Sequence, residues 1–440
     1  MRNRWKIKGT FRTIAPLHVG SGGITHRTNL LDKENKQCDV SEVVVDYEDR
    51  PCIPGSTIKG VLRAWGEKFL AQEKDLQALE RIFGKRDITS DKASAGWAIF
   101  QTAFARKPSD LTPFENHVPY WCKSRLTGVM SHVCINRDTG APQHNKLFYE
   151  EFVPEGIVFD VEIDISRLEE GDVSLLLGIL QKGSQHETHP WQLGASGANG
   201  WGRIEWALKQ LQTLRPSLQF QDQKVGFDFC DENTTLDDPS FEKLEFQQLP
   251  CITLGFRMKC AEAFLVNDNS RAIKEVTDSN SRSESASVLP LRKVDGSAWL
   301  PTSSFRGALR SRAEFILSSL DASATGDPNQ AAGDGPIERL FGATSTSARI
   351  RVSRIQEVVS ESSRELAPTR RQDFVAIDRF SGGAAAHAKF DSLYVDKPAF
   401  DCEFVINTSG LKPQDLALLR RAMEDVFQGE VLIGLSLIHI

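Results

Sequence analysis

No two of the eight cysteines stand in a CxxC pair. The standard zinc-finger spacings are therefore absent, and the scattered thiols fit a reducing, cytoplasmic setting. Cys122, His132 and Cys134 could ligate zinc only with a fourth partner from elsewhere. The chain shows no signal-peptide pattern and no apolar run long enough to span a membrane, so no membrane partner is expected. It also lacks an excess of positive charge. The formal net charge is -6, and no global field draws in a polyanion; anion binding must come from local patches. One such patch is MRNRWKIKGTFR at the N-terminus. No dinucleotide fingerprint is present, because the one Gly-dense run neither follows a strand nor opens a helix. No organic cofactor is expected.

What is present is ordinary globular composition, with 40% hydrophobic and 25% charged residues over 440 positions, enough for two or three domains with real cores. One stretch occurs twice. CIPGSTIKGVLRAWGEKFL runs from Cys52 to Leu70, and WLPTSSFRGALRSRAEFIL from Trp299 to Leu317. Pro54 pairs with Pro301, Lys59 with Arg306, Gly60 with Gly307 and Arg63 with Arg310, at an offset of 247 residues. A period of that length means tandem domains rather than a solenoid. Each copy reads as a strand stopped by Pro and followed by a helix. Ser56 or Thr57 could cap the first helix, and Ser303 or Ser304 the second. Ile58, Leu62, Trp65 and Phe69 recur at helical spacing and should face a core. Lys59 and Arg63 then share one helix face near free N–H groups and the positive helix end, the makings of an anion site.

Taken in order, the first half opens on the alternating strand Trp5 to Phe11, echoed by Ile252 to Met258. A Gly-rich turn follows at Pro16 to Gly23, containing His18, Gly20 and Ser21. The polar stretches Ile24 to Asp39 and Asn269 to Ser287 read as mobile loops. ERIFGKRD at Glu80 matches ERLFGATS at Glu338. The segment from Ile135 matches that from Ile377, pairing Arg137 with Arg379, His144 with His387 and Lys146 with Lys389. Each half then carries a helix, over Val173 to Lys182 and Pro413 to Phe427. WQLGASGANGWGRIEW, Trp191 to Trp206, places four glycines in the nine residues from Gly194 to Gly202. Its N–H groups, with Trp201 and Arg203, could converge on an anion. The second half has no such run before LSLIHI, so its sheet is expected to lack one strand unless a partner supplies it. The expected division is residues 1–220, an acidic linker at 221–249, and 250–440.

Together these elements resemble the RAMP superfamily, most closely the crRNA-binding backbone subunits of type III CRISPR–Cas effector complexes. The residues that carry the resemblance are LHVGSGG, CIPGSTIKGVLR, INRDTGAPQHNKLF and GASGANGWGR in the first half. In the second they are WLPTSSFRGALR, ERLFG and IDRFSGGAAAHAKF. Two such domains in one chain are similar to the type III-D arrangement. The resemblance implies an α+β protein of two ferredoxin-like (βαββαβ) domains with thumb-like insertions, around Arg106 to His144 and Arg351 to His387. It implies a ribonucleoprotein whose partners are guide crRNA, complementary target RNA and other effector subunits. Expected RNA-binding residues are His18, Gly20, Ser21, Lys59, Arg63, Arg137, Gly197, Gly200, Trp201, Arg203, Arg306, Arg310 and Arg379. The family pattern places a catalytic Asp before the strand leading into the Pro-turn-helix stretch. Asp39 sits there, with Asp32 as second choice, and a divalent metal (Mg2+ or Mn2+) on Asp39 would assist cleavage. The matching place in the second half offers only Glu284 and Asp278 nearby. Two readings stand beside this one: a non-catalytic RNA-binding scaffold, and a stand-alone RNA-processing enzyme using His18 or His26 as acid–base catalyst.

Overall fold

The computed structural model describes residues 4–27, 30, 36–85, 93–135, 142–221, 224–233, 246–270, 288–320, 335–343, 346–359, 365–431 and 433. The fold is α+β. The first half runs β1 (Arg4–Thr13), β2 (Gly20–Thr25), β3 (Val40–Val43), β4 (Cys52–Ile53), α1 (Gly55–Phe69), α2 (Glu73–Phe83), β5 (Gly84–Lys85), β6 (Ser94–Ala95), β7 (Ala98–Phe100) and β8 (Ala103–Arg106). It continues with α3 (Thr112–His117), β9 (Gly128–Ile135), β10 (Pro142–Phe152), β11 (Val158–Ser166), α4 (Glu170–Ser184), β12 (Ile204–Gln221) and β13 (Lys224–Asn233). The second half holds β14 (Cys251–Lys259), β15 (Ala263–Phe264), α5 (Thr302–Leu320), α6 (Pro336–Phe341), β16 (Ile350–Glu357), β17 (Thr369–Ile377), β18 (Ala384–Asp396), β19 (Ala399–Asn407) and α7 (Pro413–Phe427).

The main sheet of the first half has the order β13-β12-β1-β11-β8-β4, with β7 also on β11. Strand β1 lies antiparallel between β11 and β12, with Ile7 opposite Ile163 on one side and Leu211 on the other. Its inward residues Trp5, Ile7 and Phe11 are at most 5% exposed. Helix α1 lays Ile58, Leu62, Trp65 and Phe69 on this core, as their spacing required. A second sheet, β2-β3-β10-β9, carries the β9–β10 hairpin where the thumb was expected. In the second half β14-β19-β16 form one sheet and β15-β18-β17 another. Among the described residues β14 pairs only with β19.

Four expectations change. Neither helix is capped by Ser or Thr: α1 begins directly after Pro54, whose carbonyl accepts from Thr57 and Ile58, so Ser56 and Thr57 already lie in the first turn. Ser303 and Ser304 are inside α5 for the same reason. The glycines after His18 extend into exposed strand β2 rather than a turn. The described part of Ile24 to Asp39 is anchored, since Arg27 is 6% and Leu30 1% exposed. Finally, part of the stretch taken as a linker, Lys224–Asn233, is strand β13, paired with β12 throughout. No helix among the described residues is long and apolar enough to cross a membrane.

Candidate nucleic-acid interface

The duplicated helices present the same basic–Gly step in different surroundings. On α1, Lys59 is half-buried and Gly60 exposed, and a Cβ built on Gly60 would meet nothing within 4 Å. A Cβ on Gly307 would also meet nothing. Glycine inside a helix costs about 0.5–1 kcal/mol relative to alanine. Among the described residues no neighbour fills the space a Cβ would take at either glycine, and the step recurs in register. Arg63 donates to Glu67 at 2.7 Å, and Arg310 to Glu314 at 2.8 Å, so the helix-face ion pair is duplicated too. Arg306 differs from Lys59. It donates to Asn199 Oδ1 at 3.1 Å and to the Phe341 carbonyl, and burial holds its charge down, with Arg310 adding to the effect.

Asn199 belongs to the Gly-rich loop, whose centre is a 3-10 turn at Gly197–Asn199. That loop packs on the second half. Thr302 donates its hydroxyl to the Asn199 carbonyl, and Arg203 donates to the Ser353 carbonyl at 2.9 Å. Gly200 has φ +74, and a Cβ there would lie 2.8 Å from the Val352 carbonyl. The close approach expected of this loop is thus made to β16 of the second half. Trp201 is 7% exposed and contacts the rings of His132 and Phe152.

His18 is buried, its Nδ1 2.6 Å from the Glu151 carbonyl and its Nε2 3.7 Å from Glu150. His132 approaches the same Glu150 carboxylate at 3.3 Å. Beside this lies a network that the sequence reading missed. Glu151, fully buried, accepts from Arg27, from Arg125 at 3.0 Å and from Thr127 at 2.7 Å. Arg125 reaches on to Glu42 and Asp49. Burial alone would push the Glu151 carboxyl up, but Arg125, Arg27 and Thr127 hold it below its ordinary value. This network ties β2 and β3 to β10. Gly20 and Ser21 remain on the exposed face, with Ser21 Oγ 3.2 Å from Glu42.

Asp39 stands at the entry to β3, its side chain 73% exposed, and the His26 Nδ1 lies 3.7 Å from it. Among the described residues no three His, Cys, Asp or Glu side chains gather to hold a metal, at Asp39 or at Cys122. Asp32, Asp278, Glu284 and Arg137 lie outside the described residues. Arg379 is exposed in the turn between β17 and β18, beside Phe380, which is wholly exposed.

A tandem pair of α+β halves that repeats a basic–Gly step on matching helices is the class this architecture defines. A family model described as the RAMP superfamily matches residues 10–205 and 278–435, and the chain belongs to that superfamily. The chain is similar to the CRISPR system Cms endoribonuclease Csm3 of Enterococcus italicus, with 27% identity over 232 residues, covering 49% of this chain and 94% of that protein.

Proposed function

We propose that the chain is a backbone subunit of a type III CRISPR–Cas effector complex, binding guide crRNA by its phosphates and cutting complementary target RNA from the first half. The observation that carries this is the duplicated step, a cation followed by a glycine with open space above it. Such a step lets a polyanion backbone approach a helix closely without reading sequence. A scaffold that accepts any guide requires contacts of that kind. The order β12-β1-β11-β8 supports the ferredoxin-like reading of the first half, and the chain divides into two domains at 1–220 and 250–440, with β13 extending the sheet of the first. Endoribonuclease in the relative's name supports cleavage.

Asp39 is the candidate catalytic carboxylate because it is exposed before β3. It offers one carboxylate, so a divalent ion there would be held by Asp39 with water and RNA oxygens and would supply charge stabilisation at the scissile phosphate. Asp39 itself can accept a proton from an attacking 2′-hydroxyl. His18 is buried against Glu150 and Glu151, which counts against it as the acid–base catalyst of a stand-alone enzyme.

The test is RNA affinity against salt for the wild type and the double variant Lys59→Ala, Arg63→Ala. Each lost phosphate contact should lower the slope of log affinity against log salt by about 0.7. Unchanged affinity and slope would refute the assignment.

A further inference from the structure

An exposed carboxylate serves catalysis poorly unless something aims it, because a side chain that turns freely must be fixed before each reaction. The Asp39 side chain is 73% exposed, yet the backbone on both sides of it is tied down. Val40, the next residue, pairs with Thr25 of β2 and with Tyr149 of β10. Cys38, the residue before, donates its N–H to the Leu30 carbonyl at 3.2 Å, and Leu30 donates to the Arg27 carbonyl at 3.1 Å.

His26 is held from the same base. It follows Thr25, the last residue of β2, and precedes Arg27, which is buried and bonded to Glu151 and Thr127. Glu151 also accepts from the Val43 N–H at 3.0 Å, so one buried carboxylate fixes both the end of β2 and strand β3. His26 Nδ1 then lies 3.3 Å from the Cys38 carbonyl and 3.7 Å from Asp39 Oδ1. A carbonyl only accepts, so Nδ1 carries the hydrogen in this contact and faces two oxygens at once. Among the described residues no other side chain comes within ion-pair distance of Asp39. Hydrogen bonds of this kind are commonly long before substrate arrives and shorten in the complex.

We propose that His26 is a positioning residue: its Nδ1–H, shared between the Cys38 carbonyl and the Asp39 carboxylate, holds that carboxylate in the orientation that serves cleavage. The proposal rests on the cleavage reading and gives His26 a part in it distinct from acid–base catalysis, because His26 acts on Asp39 rather than on RNA.

The experiment uses the full chain loaded with guide RNA, with Mg2+ and a complementary RNA as the probe. It compares the wild type with His26→Ala, His26→Asn, Asp39→Ala and the double variant His26→Ala, Asp39→Ala. Asparagine carries an N–H at the same remove from the backbone as Nδ1, and alanine carries none. His26→Ala should lower kcat about tenfold with KM unchanged, and should melt like the wild type. His26→Asn should recover most of that loss. Added to Asp39→Ala, His26→Ala should cost nothing further, because no carboxylate remains to be held. If Asp39→Ala loses cleavage while His26→Ala cleaves like the wild type, the positioning role is overturned and the cleavage reading stands. If His26→Asn is as slow as His26→Ala, the N–H is not what matters, and the proposal is overturned. A melting temperature that falls in His26→Ala, with KM rising as kcat drops, would make His26 structural and overturn it as well. Wild-type cleavage by Asp39→Ala removes the cleavage reading and the proposal with it.

Discussion

The two halves are copies whose equivalent surfaces have different occupants. Helix α5 begins beneath the Gly-rich loop of the first half, with Thr302 and Arg306 both bonded to Asn199. Among the described residues no such contact forms at Lys59 of α1. The sheets differ in the same sense. Trp5, Ile7 and Phe11 of β1 are sealed between β11 and β12, whereas Ile252 of β14 is 41% exposed. One stretch of sequence therefore docks a neighbouring domain in one copy and leaves the basic–Gly step at Lys59 and Gly60 undocked among the described residues in the other. A shared motif sets what a surface can bind, and the neighbours decide what it does bind.

The comparison can be broken first at the ion networks. Glu151 serves two arginines in the first half, while Asp415 in the second serves Arg339 and the Lys412 backbone N–H. Glu151→Ala should cost about 3–5 kcal/mol in chemical denaturation, and more than Asp415→Ala, because it leaves the buried Arg27 without its carboxylate and also takes one of the three carboxylates that Arg125 contacts. Both carboxyls are held below their ordinary values, where burial alone would raise them: Arg125 and Arg27 hold Glu151, and Arg339 holds Asp415. Their stabilisation is present above the ordinary carboxylate range and is lost as pH falls through the lower folded values. Wild-type stability should thus fall below about pH 4, and the fall should be shallower in Glu151→Ala.

The next effect is on chemistry. Asp39→Ala should slow cleavage of a guide-matched target by about 100-fold or more while leaving target binding intact. Cleavage that persists in Asp39→Ala and disappears in Asp32→Ala would move the chemistry within the same loop. A smaller effect is expected at the seam between the halves. Gly200→Val forces a β-branched residue to φ +74 against the Val352 carbonyl and should cost about 1–3 kcal/mol, read by thermal melting. If the melting temperature does not change, the loop does not hold the halves together.

The repeat was legible because Pro54, Gly60 and their partners are residue types whose backbone roles survive without context. The α1 core face was legible from its period. The seam was not. Arg203 meets Ser353 across 150 positions, and nothing local in GWGRIEW distinguishes a guanidinium that will face RNA from one that will face a carbonyl. The run of arginines at 349, 351 and 354 was the available signal for the second-half side of that seam. The Glu151 network failed for the same reason, since its members come from four separate segments. The helix starts were misread because Ser and Thr favour caps statistically, while Pro54 fixes where α1 begins.

The melting curve and RNA affinity of Gly60→Leu test most directly whether the open space at Gly60 of α1 takes an RNA backbone. A Cβ there meets nothing within 4 Å among the described residues, and leucine is a better helix former than glycine. An equal or higher melting temperature is expected together with RNA binding weakened by about tenfold or more, an effect of about 1.4 kcal/mol or greater. A variant that melts like the wild type and binds RNA equally well would contradict it.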